Sequence, residues 1–387
     1  MDAVRWLETQ QRTALPNPSA DGRKYVFHSK TATIMSVEIS HPIADGISNR
    51  ERLVERINRA SRRVGLLGFF GLLETLSFAF DFLAVAQLFY PFFLLFFVPL
   101  VLGTVQYVGG HVRSRLSDDE EAERNETEKP TDWVESGYEQ GILKRLQMFW
   151  LLVHPNIALR GFAQTFGNLV VLIRHGGNVP DARSYESDVD YRLPFDGEWT
   201  VLNGSPDPWY SHSWGLLQQR YAHDFVITDD EGRTHDGSGG PEAFYCFDEP
   251  LLAPADGTVV AAKDGHRDYH RTTGWFDPLQ WRLRGNYVLI KHDDEYSCLA
   301  HLKEGSICVS EGDTVARGEQ IGRCGHSGNS TEPHLHFHVQ DSPSFYFGMG
   351  LPVKFSSTTS DYPDGEPTHC DRTYVHSGQK VSYDPEA

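Results

Sequence analysis

Cysteine is scarce in this chain and poorly spaced for a framework. Five cysteines, Cys246, Cys298, Cys308, Cys324 and Cys370, occur among 387 residues. They include no Cys-x-x-Cys pair and are odd in number, which argues against a disulfide scaffold and against a cysteine zinc knuckle. Lysine is equally thin. Only nine of the 35 basic residues are lysine, against 53 Asp and Glu, for a formal net charge of −18. A chain of that sign repels phosphate backbones, so nucleic acid is not an expected partner. An acidic, lysine-poor surface suits a protein kept soluble in high salt and leaves the fold undetermined. Residues 1–63 are polar and mixed and lack a signal-peptide pattern.

Within that first region ERLVERINRASRR, Glu51 to Arg63, reads as a charged, arginine-rich helix. The character then changes. Val64 to Val108 is almost continuously apolar, and its 45 residues are enough for two spans of roughly 20 each. A membrane helical hairpin is expected, with Glu74 and Asp81 turned to a partner helix or the interface because charge is costly in lipid. Arginines flank both ends, which by the positive-inside tendency places both flanks in the cytoplasm. Met148 to Ile173 is also apolar but holds His154, Pro155, Asn156 and Arg160, so an interfacial pair of amphipathic helices is expected there. A span at that point would move the C-terminal domain to the other side, and the sequence leaves the side open. Between the two segments SDDEEAERNETEKPTD, Ser117 to Asp132, reads as a solvated acidic linker.

After Gly176 short alternating runs separated by turns predict an all-β, sandwich- or barrel-like domain. Its focus is GHSGNSTEPHLHFHV, Gly325 to Val339. Side chains in a strand switch faces at every residue, so His334, His336 and His338 share one face while Leu335 and Phe337 enter the core. Imidazoles at i and i+2 suit a metal site, one as ligand and one as neighbouring acid or base. The Gly-Asn-Ser-Thr-Glu-Pro run before them is turn chemistry. A serine nucleophile in GHSGNS is not expected, because the strand–Gly-x-Ser-x-Gly–helix setting is missing.

PADGTVVAAKDG, NYVLIKHDDEYSCLAHL, EGDTVARGEQIGRCGHSGNS and PHLHFHV follow one another in an order that resembles the lysostaphin-type (LytM-like) zinc metallopeptidases. The resemblance covers about 220–339 and implies a compact β domain of the duplicated hybrid motif type, with one Zn2+ in a groove. It implies cleavage of peptide bonds, often in the cross-links of a cell-envelope polymer. By the same resemblance Asp224 and His336 are zinc ligands, and His301 and His334 orient water and stabilise the developing oxyanion. Catalytic zinc keeps three protein ligands and an open position, which agrees with that assignment.

One position departs from the family pattern. Where a ligand histidine is usual, four residues before the aspartate, this chain has Arg220, and guanidinium cannot ligate zinc. His223 adjoins Asp224 and should point to the opposite face. His212 is the expected replacement and His235 a second candidate; the alternative is a degenerate domain that binds a partner without catalysis. His292 reads as a strand-end surface residue and His338 as a neighbour of the metal ligands. The expectation is therefore an α+β multidomain chain: N-terminal polar region 1–63, membrane hairpin 64–108, acidic linker and amphipathic helices 109–185, antiparallel β metallopeptidase domain 186–350, and peripheral tail 351–387. Expected partners are a membrane and a peptide or cell-envelope polymer; the sequence does not set the oligomeric state.

Overall fold

The alternation in PHLHFHV sets the middle of the fold. In the computed structural model, which describes residues 49–65, 98, 129–136 and 154–386 apart from 209, 238, 271, 273–276, 278 and 364, this stretch is a central strand. The strands run β1 (Glu198–Asn203), β2 (His223–Val226), β3 (Pro250–Leu252), β4 (Gly257–Lys263), β5 (Asn286–His292) and β6 (Glu295–Leu302). They continue as β7 (Thr314–Val315), β8 (Gln320–Arg323), β9 (Leu335–Gln340), β10 (Gly350–Leu351), β11 (Phe355–Asp361), β12 (Thr368–Thr373) and β13 (Lys380–Tyr383). Eleven of them form one antiparallel sheet in the order β12-β11-β13-β1-β2-β9-β6-β5-β4-β7, with β10 on the end of β9; β3 and β8 form a separate pair.

Leu335, Phe337 and Val339 point to one face of β9 and are fully buried with Phe225 of β2, Leu299 of β6, Trp199 and Val201 of β1, and Leu251 and Ile321 of the β3–β8 pair. Burying a side chain such as Phe337 contributes about 1.5–3 kcal/mol, so this face anchors the register of β9. A slip of one residue would turn the histidines inward. The opposite face of β9 is thereby left for His336 and His338.

Two helices are described. α1 (Asn49–Gly65) contains the arginine-rich stretch expected to be helical. α2 (Pro155–Arg174) starts with proline in its first turn, where the missing N–H costs nothing, and the His154 ring accepts from the Asn156 N–H. It is a single helix over the described part of the segment expected to form an amphipathic pair. Among the described residues no helix is long and apolar enough to cross a membrane. The expected hairpin at 64–108 lies outside the described residues apart from 64, 65 and 98.

Three expectations are corrected. Residues 351–387 are not a peripheral tail: β13 inserts between β11 and β1, pairing Trp199 with Val381 and Thr359 with Ser382, and Phe355, Val375 and Val381 are in the core. Their Ser and Thr content misled because several of those side chains are buried in the sheet, Thr358 and Ser356 among them. The last residues of the acidic linker are docked as well, with Pro130 buried against Gly378, and so are the residues that follow them. Trp133 donates its indole N–H to the Gly378 carbonyl, and Glu135 bridges to Arg233. His292 is no surface residue either; it is 2% exposed and donates Nδ1–H to the Asp256 carbonyl while accepting from Ser297 Oγ, both at 2.7 Å.

Candidate metal centre

Strand pairing brings the predicted ligands together. β2 and β9 run antiparallel with Asp224 directly opposite His336, so the two side chains rise from the same face. His336 Nδ1 is 2.8 Å from Asp224 Oδ1. The other carboxylate oxygen accepts from Asn203 Nδ2 at 3.1 Å; Asn203 is its partner on β1. Sequence reading passed over Asn203, which carries no motif and is placed only by the pairing.

His212 reaches the same carboxylate from the loop before β2, with Nε2 3.5 Å from Asp224 Oδ2. Its loop is fastened on both sides. Ser211 Oγ donates to the Arg220 carbonyl at 2.8 Å and Ser213 Oγ to that of Gln219. From α2, Asn168 donates to the Gly215 carbonyl and accepts from the Leu217 N–H. Arg220 itself turns away, its guanidinium 4.6 Å from the centre of the Trp214 ring. His223 points into the core, as strand alternation requires, and stacks on Phe225. His235 is engaged with Phe244 and accepts from the Gly237 N–H.

His301 enters from β6 by an irregular route. Ala300 lies opposite His336, so alternation would send residue 301 to the core face. Instead His301 has φ +64° and is the extra residue where the β5–β6 register shifts between Asn286 and Tyr287. The bulge re-aims the side chain, a known use of bulges beside functional sites. Its ring centroid is then 4.8 Å from that of His334 and 5.8 Å from that of His336.

Backbone carbonyls set the tautomers of this pair. His301 Nδ1–H donates to the Ser327 carbonyl at 2.8 Å, and His334 Nδ1–H to the Glu332 carbonyl at 2.7 Å. Each ring keeps Nε2 for the donor cluster around His336, and His334 Nε2 is 3.6 Å from Asp224 Oδ1. Burial holds His301 well below the usual imidazole range, reinforced by His334 and His336. It lowers His334 and His212 too, against the pull of Asp224. For Asp224 burial acts upward, but His212, His334 and His336 together outweigh it and hold the carboxyl well below its ordinary value. At neutral pH Asp224 is thus a carboxylate, and burial favours neutral rings at His301 and His334 beside it.

Two overlapping sets of donors meet here: His212, Asp224 and His336, and His301, His334 and His336, each with ligand atoms within 4.8 Å of one another. The first set combines two imidazoles and a carboxylate, a donor set that suits Zn2+. The second shares His336 with the first and adds His301 and His334, whose Nδ1 atoms are engaged with carbonyls.

Residues 242–345 match the model of Peptidase family M23. The matched stretch carries His301, His334 and His336, while His212 and Asp224 lie before it and join the centre through β2. A metalloprotease of Haemophilus influenzae is 35% identical over 116 residues, 29% of this chain and 20% of that protein. The peptidoglycan DD-endopeptidase ShyA of Vibrio cholerae is 42% identical over 91 residues, 23% of this chain and 20% of its own length. The murein hydrolase activator NlpD of Salmonella dublin is 29% identical over 122 residues, 31% of this chain and 28% of that protein. The chain spans about a fifth of the length of the first two relatives and just over a quarter of the third. The resemblance read from the sequence and the match agree: residues 242–345 form a Peptidase family M23 domain.

Proposed function

We propose that this domain is a zinc-dependent endopeptidase acting on peptide bonds of a cell-envelope polymer. The observation that carries the reading is the meeting of His212, Asp224 and His336 with His301 and His334, two donor sets that share His336. In this reading the first three would hold zinc, which would supply Lewis acidity to the scissile carbonyl and to a water. Asp224 stays ionised and offers charge; Asn203 keeps its second oxygen oriented. His301 and His334 do the proton work. Neutral and fixed through Nδ1, either ring can take a proton at Nε2 and then donate it to an oxygen that gains charge. The ShyA likeness supports a peptidoglycan-type substrate. Attachment to a membrane through Val64 to Val108 is part of the proposal and rests on that apolar sequence alone.

A second reading, a domain that binds and regulates without cutting, is favoured by the likeness to a murein hydrolase activator and by the exposure of His212, whose side chain is 36% accessible. Metal analysis and a digestion assay separate the two. The endopeptidase reading expects about one zinc per chain and new amine termini in a cross-linked peptide polymer, both lost in His336→Ala. A zinc-free, inactive wild-type protein favours the regulator.

A further inference from the structure

His336 has a second ring nitrogen, and the side chains behind it form a row. His336, His338 and Gln340 alternate along β9 on one face, and His338 and Gln340 are each 1% exposed. His336 Nε2 is 3.2 Å from His338 Nδ1, and His338 Nε2 is 3.2 Å from Gln340 Oε1. Gln340 Nε2 donates to the Ser342 backbone carbonyl at 2.6 Å.

The polarity of this row follows from its far end. A backbone carbonyl only accepts, so the Gln340 amide nitrogen belongs at Ser342 and its oxygen at His338. His338 must therefore carry its proton on Nε2. His338 is 1% exposed and its ring nitrogens face Gln340 Oε1 and His336 Nε2, neither of them a carboxylate, so nothing offsets a buried charge there: the ring is neutral and Nδ1 accepts. The proton between the two histidines then sits on His336 Nε2. That leaves a lone pair on His336 Nδ1, facing a carboxylate oxygen at 2.8 Å. Two acceptors at that distance repel unless a cation joins them.

We propose that His338 and Gln340 are positioning residues that fix His336 in its Nε2–H tautomer and so ready Nδ1 for a metal ion. The proposal rests on the zinc reading given above. Outer partners of a ligating histidine typically change metal affinity about 10–100-fold when removed. Cysteine and alanine at positions 298 and 300, which lie opposite His338 and His336 on β6, leave room for the row of rings.

The test uses the full chain and zinc alone. Zinc dissociation constants are measured by competition with a chromophoric chelator for wild type, His338→Phe, His338→Gln and Gln340→Met. The expected result is about 10–100-fold weaker zinc binding in His338→Phe, recovery in His338→Gln, which restores an acceptor, and an intermediate loss in Gln340→Met. Equal affinity in wild type and His338→Phe overturns the proposal, as does an equal loss in the Phe and Gln variants. Ring 15N spectra of histidine-labelled, zinc-free wild type give a reading that needs neither zinc nor a variant that folds. His338 is expected as the Nε2–H tautomer, and the Nδ1–H tautomer overturns the relay. Wild type that shows the expected tautomer yet binds no zinc refutes the zinc reading, and with it the readied metal site, while leaving the hydrogen-bond order standing.

Discussion

Gly285→Ala should separate metal binding from proton transfer. Gly285 has φ +60°, and a Cβ there would lie 2.4 Å from the Ser327 carbonyl carbon and 2.5 Å from its oxygen. That carbonyl holds His301 Nδ1, and Ser327 Oγ also accepts from the Asn286 N–H and donates to the Leu302 carbonyl. Ordinary contact starts at 3.4 Å, so the Ser327 peptide must retreat by about 1 Å. The hydrogen bond to His301, now 2.8 Å, is then beyond bonding length. Left-handed backbone costs an alanine about 1–2 kcal/mol and the lost bond about 1 kcal/mol more. A destabilisation near 3 kcal/mol is expected. Gly305→Ala is the control, because Gly305 has φ +72° with nothing within 4 Å of its Cβ; it should lose only about 1–2 kcal/mol. Urea unfolding of both variants measures the difference. Zinc content should be unchanged in Gly285→Ala, since β2 and β9 are untouched, while hydrolysis falls about 100-fold from a 1 Å misplacement. Zinc lost in step with activity, or a stability equal to that of Gly305→Ala, would refute this account of Ser327.

Three further outcomes are expected. Asp224→Ala, His336→Ala and His212→Ala should each weaken zinc binding more than the roughly 100-fold typical of an outer partner, as read by chelator competition; a His212→Ala protein with wild-type affinity would remove His212 from the ligand set. Burial lowers the pKa of His292, so the unfolded chain takes up its proton first. Its contribution to stability is therefore complete above about pH 6.5 and is lost as pH falls below that value; thermal midpoints between pH 8 and 5 should slope less in His292→Gln than in wild type. Ending the chain before Ser377 removes β13, leaves β1 and β11 each with one open edge and should give protein without a cooperative unfolding transition by circular dichroism.

The strand that organises the domain was legible because period-two alternation with a fully apolar inner set admits only one face for the histidines. Asp224 was named from the resemblance, and the alternation rule then turned its neighbour His223 inward. His301 was named from the resemblance, yet its route was invisible: strand alternation alone sends it to the core, and only the bulge returns it. His292 was misread because a strand end looks exposed when the partner, here the Asp256 carbonyl, is distant in sequence. The segment after Leu351 was misread for a related reason. Its strands carry Ser and Thr even where they are buried, as at Thr358, and the apolar residues that matter, Phe355, Val375 and Val381, are too widely spaced to register as a pattern. The His338–Gln340 row lay in plain sight as i, i+2 and i+4, but its direction needed the Ser342 carbonyl.

The place of β13 also governs when the site can exist. β1 is flanked by β2 on one side and by β13 on the other, and Glu198 and Ser382 meet across about 180 residues of chain. Until residues 380–383 arrive, β1 is a bare edge beside the strand that carries Asp224. Contacts of such long separation form slowly and late. The cluster of Asp224 and the histidines therefore assembles only after nearly the whole domain has left the ribosome, and a nascent chain carries these residues apart.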